Sequence, residues 1–452
     1  MSRTHALETP PHPLRATAAG SGQPPRVAVV GAGWAGMAAA VELAAAGVGV
    51  TVYEAARMLG GRARRVEIGG VALDNGLHIL VGAYREALRL IDLVRPPGAP
   101  PGLLRMPLRL RVEPDFRLHA PRLPAPLHLA AALLLARGLS LRERAAAVGF
   151  MRAQKAGGFR CDSGLSVEAL LHNHGQPEGL IRRLWEPLCV STLNTRPPEA
   201  SAACFLAALR DTLTRDRDAS DLLLPRTDFS ALFPEPAGRF VETRGGRLRL
   251  GDRVRRLEPG DGFIDIEATD TQRFTHAVLA VGPHQLDPLA AGLPVLTPAR
   301  EAVAGYRFRP IYSVFLQYPQ AVSLPEPMIG FSGGVTQWAF DRGRLCGQKG
   351  LIGVVISSSG GHEDLAHDDL ATQVHQELQA RFGLPAPLWH QVIGEKRATF
   401  ACTPGLPRPA NRTPNPRLFL AGDYTESDYP ATLEAAVRSG IRCARMILAR
   451  ND

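Results

Sequence analysis

The chain has 452 residues, 45% of them hydrophobic, with a formal net charge of +9 and six cysteines. That length exceeds what one simple core supports, so two intertwined domains are expected. Only three lysines (Lys155, Lys349 and Lys396) stand among scattered arginines, which argues against a nucleic-acid surface, and cysteines without a CxxC pair or regular framework read as a reducing, cytoplasmic setting.

Residues 1–25 are rich in Pro, Thr, Ala and Gly, lack an apolar core of signal-peptide length, and read as a disordered leader. Residues 27–36, Val-Ala-Val-Val-Gly-Ala-Gly-Trp-Ala-Gly, open a β-α-β unit. Gly31 permits a tight strand-to-helix turn, Gly33 lets backbone N–H groups approach a pyrophosphate, and Gly36 lets the helix pack close to the strand. Ala32, Trp34 and Ala35 complete this loop and the helix start, where unpaired N–H groups and the macrodipole favour an anion. The helix is expected over residues 37–46, with Gly47 at its C-cap. Glu54 then ends a second strand, about 20 residues on, where a carboxylate can accept both hydroxyls of a ribose.

Residues 55–64 add a second glycine pair beside arginines, and Gly61 and Arg62 can approach the pyrophosphate from its other side. A nicotinamide site does not need this element, so the cofactor expected is FAD. Asp74, Asn75 and Gly76 form either a turn at an isoalloxazine edge or a plain Asx turn, and His78 follows as a candidate titrating group or an ordinary core histidine.

Residues 127–136, Leu-His-Leu-Ala-Ala-Ala-Leu-Leu-Leu-Ala, are too short to span a bilayer. They read as a buried helix of the second domain, or as one that rests on a bilayer with Arg142, Arg144 and Arg152 towards the headgroups. His172 and His174 lack a carboxylate or cysteine partner at ligand spacing, so no metal is expected. Glu186, between Trp185 and Pro187, is either a proton donor of raised pKa or a structural carboxylate paired with Arg182 or Arg183.

Further along, residues 244–254 place Val254 where its backbone could pair with adenine, and residues 277–283 read as a buried strand whose Gly282 meets the nucleotide. Lys396 sits in a Glu-Lys-Arg run that reads either as a group beside a flavin or as a strand end with solvated charges. Near the end, residues 417–423 read as a strand closing on Gly422 and Asp423, the latter a partner for the ribityl or pyrophosphate region. A last helix starts near Thr432 and Leu433, its N-terminus directed at the flavin N1 and C2 carbonyl.

Together these segments resemble the amine oxidase and phytoene desaturase superfamily of FAD flavoproteins, over residues 26 to about 447. Residues 184–189, 193–195, 200–202, 220–226, 232–234 and 395–400 resemble its squalene-associated branch, the bacterial hydroxysqualene dehydroxylases of hopanoid biosynthesis. One departure is Ala436, where many relatives carry glycine in the flavin-facing helix. The resemblance implies an α/β fold: an FAD-binding Rossmann-type (GR2-like) domain from residues 26–95, 235–302 and 395–452, interleaved with an α+β substrate domain from 96–234 and 303–394. It also implies that a C30 isoprenoid alcohol loses its hydroxyl to give squalene and water, with peripheral contact at the inner membrane face as an open expectation. The electron donor is left open among a ferredoxin, a quinol and free reduced flavin. Rival readings on the same scaffold are an oxidative polyene desaturase, an amine oxidase with Tyr306, Tyr312 and Tyr424 as an aromatic cage, and a non-catalytic prenyl-lipid chaperone.

Overall fold

The computed structural model describes residues 25–449 apart from 214, 215 and 291. The leader expected over residues 1–25 therefore lies, but for Pro25, outside the described residues. The described residues open on β1 (Arg26–Val30), α1 (Trp34–Ala45) and β2 (Gly49–Glu54). Much later it supplies β3 (Arg247–Leu250), β4 (His276–Leu279), β5 (Leu418–Leu420) and α2 (Leu433–Leu448).

These five strands form one parallel sheet in the order β3-β2-β1-β4-β5. The four residues Val27 to Val30 are all buried, as a central strand covered on both faces requires. α1 starts at Trp34, three residues before the expected position, because Gly33 already serves as its N-cap; Ala46 is its C-cap, and Gly47 follows at φ 79°. α1 packs closely on α2: a Cβ on Gly440 would stand 2.0 Å from the Ala35 carbonyl oxygen. The first and last helices among the described residues are therefore in close contact along their backbones.

A second, seven-stranded sheet is mostly antiparallel. Its order is Trp389–Phe400, Phe308–Gln317, Leu351–Ser357, Trp338–Asp341, Met328–Phe331, Arg109–Glu113 and Phe116–His119. Ile352, Val354 and Ile356 point to one face, against helix His367–Phe382, whereas Val355 points to the other and lines a large cavity. Two boundaries differ from expectation. Residues 395–400 continue the outer strand of this sheet, since strand pairing runs on to Phe400, and Leu80–Val81 pairs with Leu222–Pro225 across the expected division.

A buried ion pair joins the two parts. Arg342 donates to the Asp74 carboxylate at 2.8 Å, and the other carboxylate oxygen accepts the Phe229 N–H at 2.9 Å. Burial pushes the Asp74 carboxyl above its ordinary range, against the lowering pull of the guanidinium. Replacing Arg342 with methionine is expected to lower the unfolding free energy by about 3–5 kcal/mol, because the carboxylate would stay buried without its partner. Urea titration checks this, and an unchanged midpoint would contradict it.

Candidate functional site

One cavity of about 1370 Å³ runs from the carboxyl ends of β1 and β2 to the inner face of the seven-stranded sheet. Its polar lobe begins at the β1–α1 turn. Gly31 has φ 104°, and a Cβ there would meet the Ala280 carbonyl oxygen at 2.5 Å; a Cβ on Gly36 would meet the Gly31 oxygen at 1.9 Å. The protein alone thus requires both glycines. Gly33 differs, since a Cβ there would find only the Gly61 Cα, at 4.0 Å. Space above Gly33 is left open, and Gly33 supplies no side chain to cap α1, whose first turn also holds no acid. A free helix N-terminus facing an open cradle is what a pyrophosphate requires.

Of the other residues expected here, Trp34, Ala35, Glu54, Gly61, Arg62, Gly76, Val254 and Gly282 line the cavity, as do Gly422, Asp423, Thr432 and Leu433. Ala32 and Gly36 do not line it. Their part is to shape the loop: the Ala32 N–H donates to Glu54 Oε2 at 2.8 Å, and the Ala56 N–H to Oε1 at 2.8 Å. The carboxylate is thereby fixed in orientation, with lone pairs left over for hydroxyl donors.

The two ends of the chain meet at Arg62. Its guanidinium donates to Asp423 Oδ2 at 2.8 Å and to the Ala398 carbonyl at 2.6 Å. The Gly422–Asp423 turn is held from behind by a buried polar cluster that sequence reasoning missed. Ser439 accepts the Gly422 N–H at 2.9 Å, Thr425 donates to the Gly422 carbonyl at 3.0 Å, and Asn411 donates to Ser439 at 2.8 Å. A serine next to Gly440 on the buried face of α2 was the available signal. Arg408 completes the support, donating to the carbonyls of Asp423, Ser427 (2.8 Å) and Tyr429 (2.6 Å).

The other lobe is apolar, with Leu110, Phe116, Leu133, Trp185, Phe205 and Phe340 in its wall. Trp185 spends its indole N–H on Gln176 at 2.9 Å, so it offers this lobe only hydrocarbon.

The three catalytic candidates fare differently. Glu186 does not line the cavity, although its chain neighbours Trp185, Pro187 and Leu188 do. Its expected partner Arg183 pairs instead with Glu143, at 3.5 Å. His78 lines the cavity, but burial and then the Arg62 charge lower its imidazole to about 4, so the ring is neutral near pH 7. Lys396 lines the cavity and is exposed. It sits in a bulge, for the pairing passes from Thr399 opposite Arg309 to Glu395 opposite Ile311.

Glu395 is the carboxylate that sequence reasoning passed over. Directly paired residues of neighbouring strands share a face, so Glu395 points with Ile311 into the cavity, where both are part of the wall. Tyr306, Tyr312 and Tyr424 do not reach it. Each is core: Tyr306 donates to the Pro407 carbonyl at 2.9 Å, Tyr312 packs edge-on against His362, and Tyr424 is fully buried. Asn75 lines the cavity, whereas its neighbour Asp74 is taken up by Arg342. His172 lies 3.0 Å from Glu178 and His174 lies 3.0 Å from Gln154, both away from the cavity.

The flavin containing amine oxidoreductase family matches residues 34–448, and the chain belongs to that family. Hydroxysqualene dehydroxylase of Rhodopseudomonas palustris is 33% identical to it, over 94% of this chain and 98% of that protein. Zeta-carotene desaturase of Synechocystis sp. is 25% identical, over 94% of this chain and 97% of that one. Among solved structures, an oxidoreductase from Methanosarcina mazei superposes with a TM-score of 0.74 at 15% identity, over 93% of this chain and 100% of that one, which establishes the fold. The protein is an FAD-dependent oxidoreductase of α/β architecture. Among the described residues, no helix is long and apolar enough to cross a membrane.

The depressed His78 carries a pH dependence of definite sign. Between about pH 6.5 and 4 the unfolded chain takes up a proton that the folded chain refuses, so stability falls as pH drops through that window. In His78→Phe this part of the slope should vanish. Thermal denaturation of both proteins across pH 4–7 measures it, and parallel curves would contradict the burial of a neutral imidazole.

Proposed function

We propose that the protein reductively removes the hydroxyl of hydroxysqualene, giving squalene and water. The observation that carries this reading is the continuity of the two lobes: an apolar tunnel wall leads without a break to the Arg62–Asp423 floor. The cavity also exceeds the roughly 300–1,000 Å³ usual for one small molecule, leaving room for a dinucleotide and a long hydrocarbon side by side. The similarity to hydroxysqualene dehydroxylase over nearly the whole of both chains supports the same substrate.

In this reading the α1 N-terminus with Gly31, Gly33, Trp34 and Ala35 receives the pyrophosphate, and Glu54 accepts the ribose hydroxyls. Gly61 and Arg62 approach the phosphates from the other side, and the Val254 backbone meets adenine. Gly282 would also meet the nucleotide, and Gly76 would stand on the flavin side, for both line the cavity. Gly422 and Asp423 face the ribityl chain, and α2, from Thr432 and Leu433, directs its positive end at the flavin carbonyls. FAD, when bound and reduced, supplies a hydride; the C–O bond of the substrate breaks, and a proton is needed for the hydroxyl to leave as water.

Glu395 is our choice for that proton. It stands on the cavity side of its strand, opposite Ile311, where the apolar wall gives way to charged groups. Glu54 is fixed by two backbone donors at the far end, Asp423 is engaged by Arg62 and Asp252 by Arg249, whereas Glu395 is held by one backbone donor, the Arg397 N–H, which reaches its Oε1 at 3.1 Å. The apolar side chains around the tunnel keep water away from an ionising allylic centre and hold the chain in place, and at about 0.8 kcal/mol per buried CH₂ affinity is easily met. Position, rather than affinity, is then what the wall must supply.

Anaerobic incubation of the reduced holoprotein with hydroxysqualene, read by mass spectrometry of the extracted lipid, is expected to yield squalene. Glu395→Gln should retain its flavin and lose about 10²–10⁴-fold in kcat. Absence of squalene with every reductant would contradict the substrate, and an unaltered kcat in the variant would contradict the role of Glu395.

A further inference from the structure

Exposed apolar side chains are concentrated in one stretch of the chain. Of the eight large hydrophobic residues exposed among the described residues, five fall between positions 123 and 141. They are Leu123 (40% exposed), Leu127 (58%), Leu134 (51%), Leu135 (70%) and Leu141 (80%). Scattered single leucines on a surface need no explanation, but a cluster of five does.

The helix Leu127–Leu134 has two apolar faces. Leu129, Ala132 and Leu133 face inward and line the cavity. Leu127 and Leu134, two turns apart, form an outer ridge, and Leu135 extends it. One helix thickness therefore separates the apolar lobe from the exposed leucines. The segment is also strongly basic. Residues 120–160 hold Arg122, Arg137, Arg142, Arg144, Arg152, Lys155 and Arg160, against one acid, Glu143. That acid is occupied in the capping box with Ser140 and by Arg183, so it does not offset the basic collar. Arg122, Arg137, Arg142, Arg152, Lys155 and Arg160 are exposed.

We propose that this face is a docking surface for an anionic lipid bilayer. The exposed leucines would enter the acyl boundary and the cations would meet the headgroups, which brings the wall of the apolar lobe against the membrane. An apolar ridge in a segment whose exposed charges are all cations matches a negatively charged bilayer surface, whereas a second copy of this chain would set cation against cation. The function of such docking, passing a C30 chain between bilayer and cavity, rests on the substrate reading above; the binding itself does not.

Flotation of the holoprotein with vesicles of phosphatidylcholine containing phosphatidylglycerol tests the proposal. The protein should float with these vesicles and much less with phosphatidylcholine alone, and salt should weaken the binding. In the variant Leu127→Ser/Leu134→Ser/Leu135→Ser the bound-to-free ratio should fall roughly tenfold or more. Arg137→Glu/Arg142→Glu should lose the preference for anionic vesicles. Flavin content and turnover of hydroxysqualene dispersed in detergent should be unchanged in both variants, because none of these side chains lines the cavity. Equal flotation of the parent and the leucine variant would overturn the proposal. So would a concentration-dependent dimer, seen by light scattering without vesicles and abolished by the same serines, which would assign the face to a second copy. Failure to form squalene in detergent would instead overturn the substrate reading and leave the flotation result standing.

Discussion

The site depends on one guanidinium. Arg62 reaches two groups more than 330 residues away in sequence: the Asp423 carboxylate behind β5 and the Ala398 carbonyl on the edge strand of the second sheet. A planar fork of donors can serve both at once, which a lysine could not. Its side chain is about 38% exposed to the cavity, so the pair adds little to global stability. What it fixes is geometry. The glycine-rich turn, the chain's closing turn and the antiparallel sheet are held at one point, and both lobes of the cavity open from there.

Rigidity around that point comes from close backbone packing rather than from large side chains. α1 presents mostly alanine, and Gly440 lets α2 approach its backbone. The Ser439, Thr425 and Asn411 cluster then satisfies buried polar groups that would otherwise cost stability. The second sheet does the opposite on its inner face. Met328, Phe340 and Val355 there pack on one side against Leu222 and Leu224 and on the other line the cavity, where contacts with a packed partner are forgone.

How much of this was legible varied with the range of the interaction. The β-α-β unit was readable because each requirement is local: a positive φ at Gly31, close packing at Gly36, and a carboxylate at the end of β2. Asp423 was readable for the same reason, as the end of a short apolar strand. The proposed proton donor was not. Glu186 was one of three candidates, noted for its apolar neighbours, but it directly follows the π-helical turn Ile181–Trp185, and no local pattern encodes the rotation that such a turn imposes. Glu395 faces inward because it pairs with Ile311, a partner known only once the sheet is assembled. The bulge at 396–398 further breaks the alternation from which Lys396 could have been oriented. The three tyrosines failed as a cage on similar grounds, since aromatic residues fill cores more often than sites.

The central claim is that the flavin lobe and the apolar lobe are one space. Titrating the oxidised holoprotein with squalene, whose hydrocarbon cannot react further as an alcohol, and recording the visible absorption of the flavin tests it directly. The account predicts a saturable shift of the flavin bands, lost when Leu188 in the tunnel wall is replaced by tryptophan. A spectrum that stays unchanged while squalene binds would place the lipid elsewhere and contradict the account.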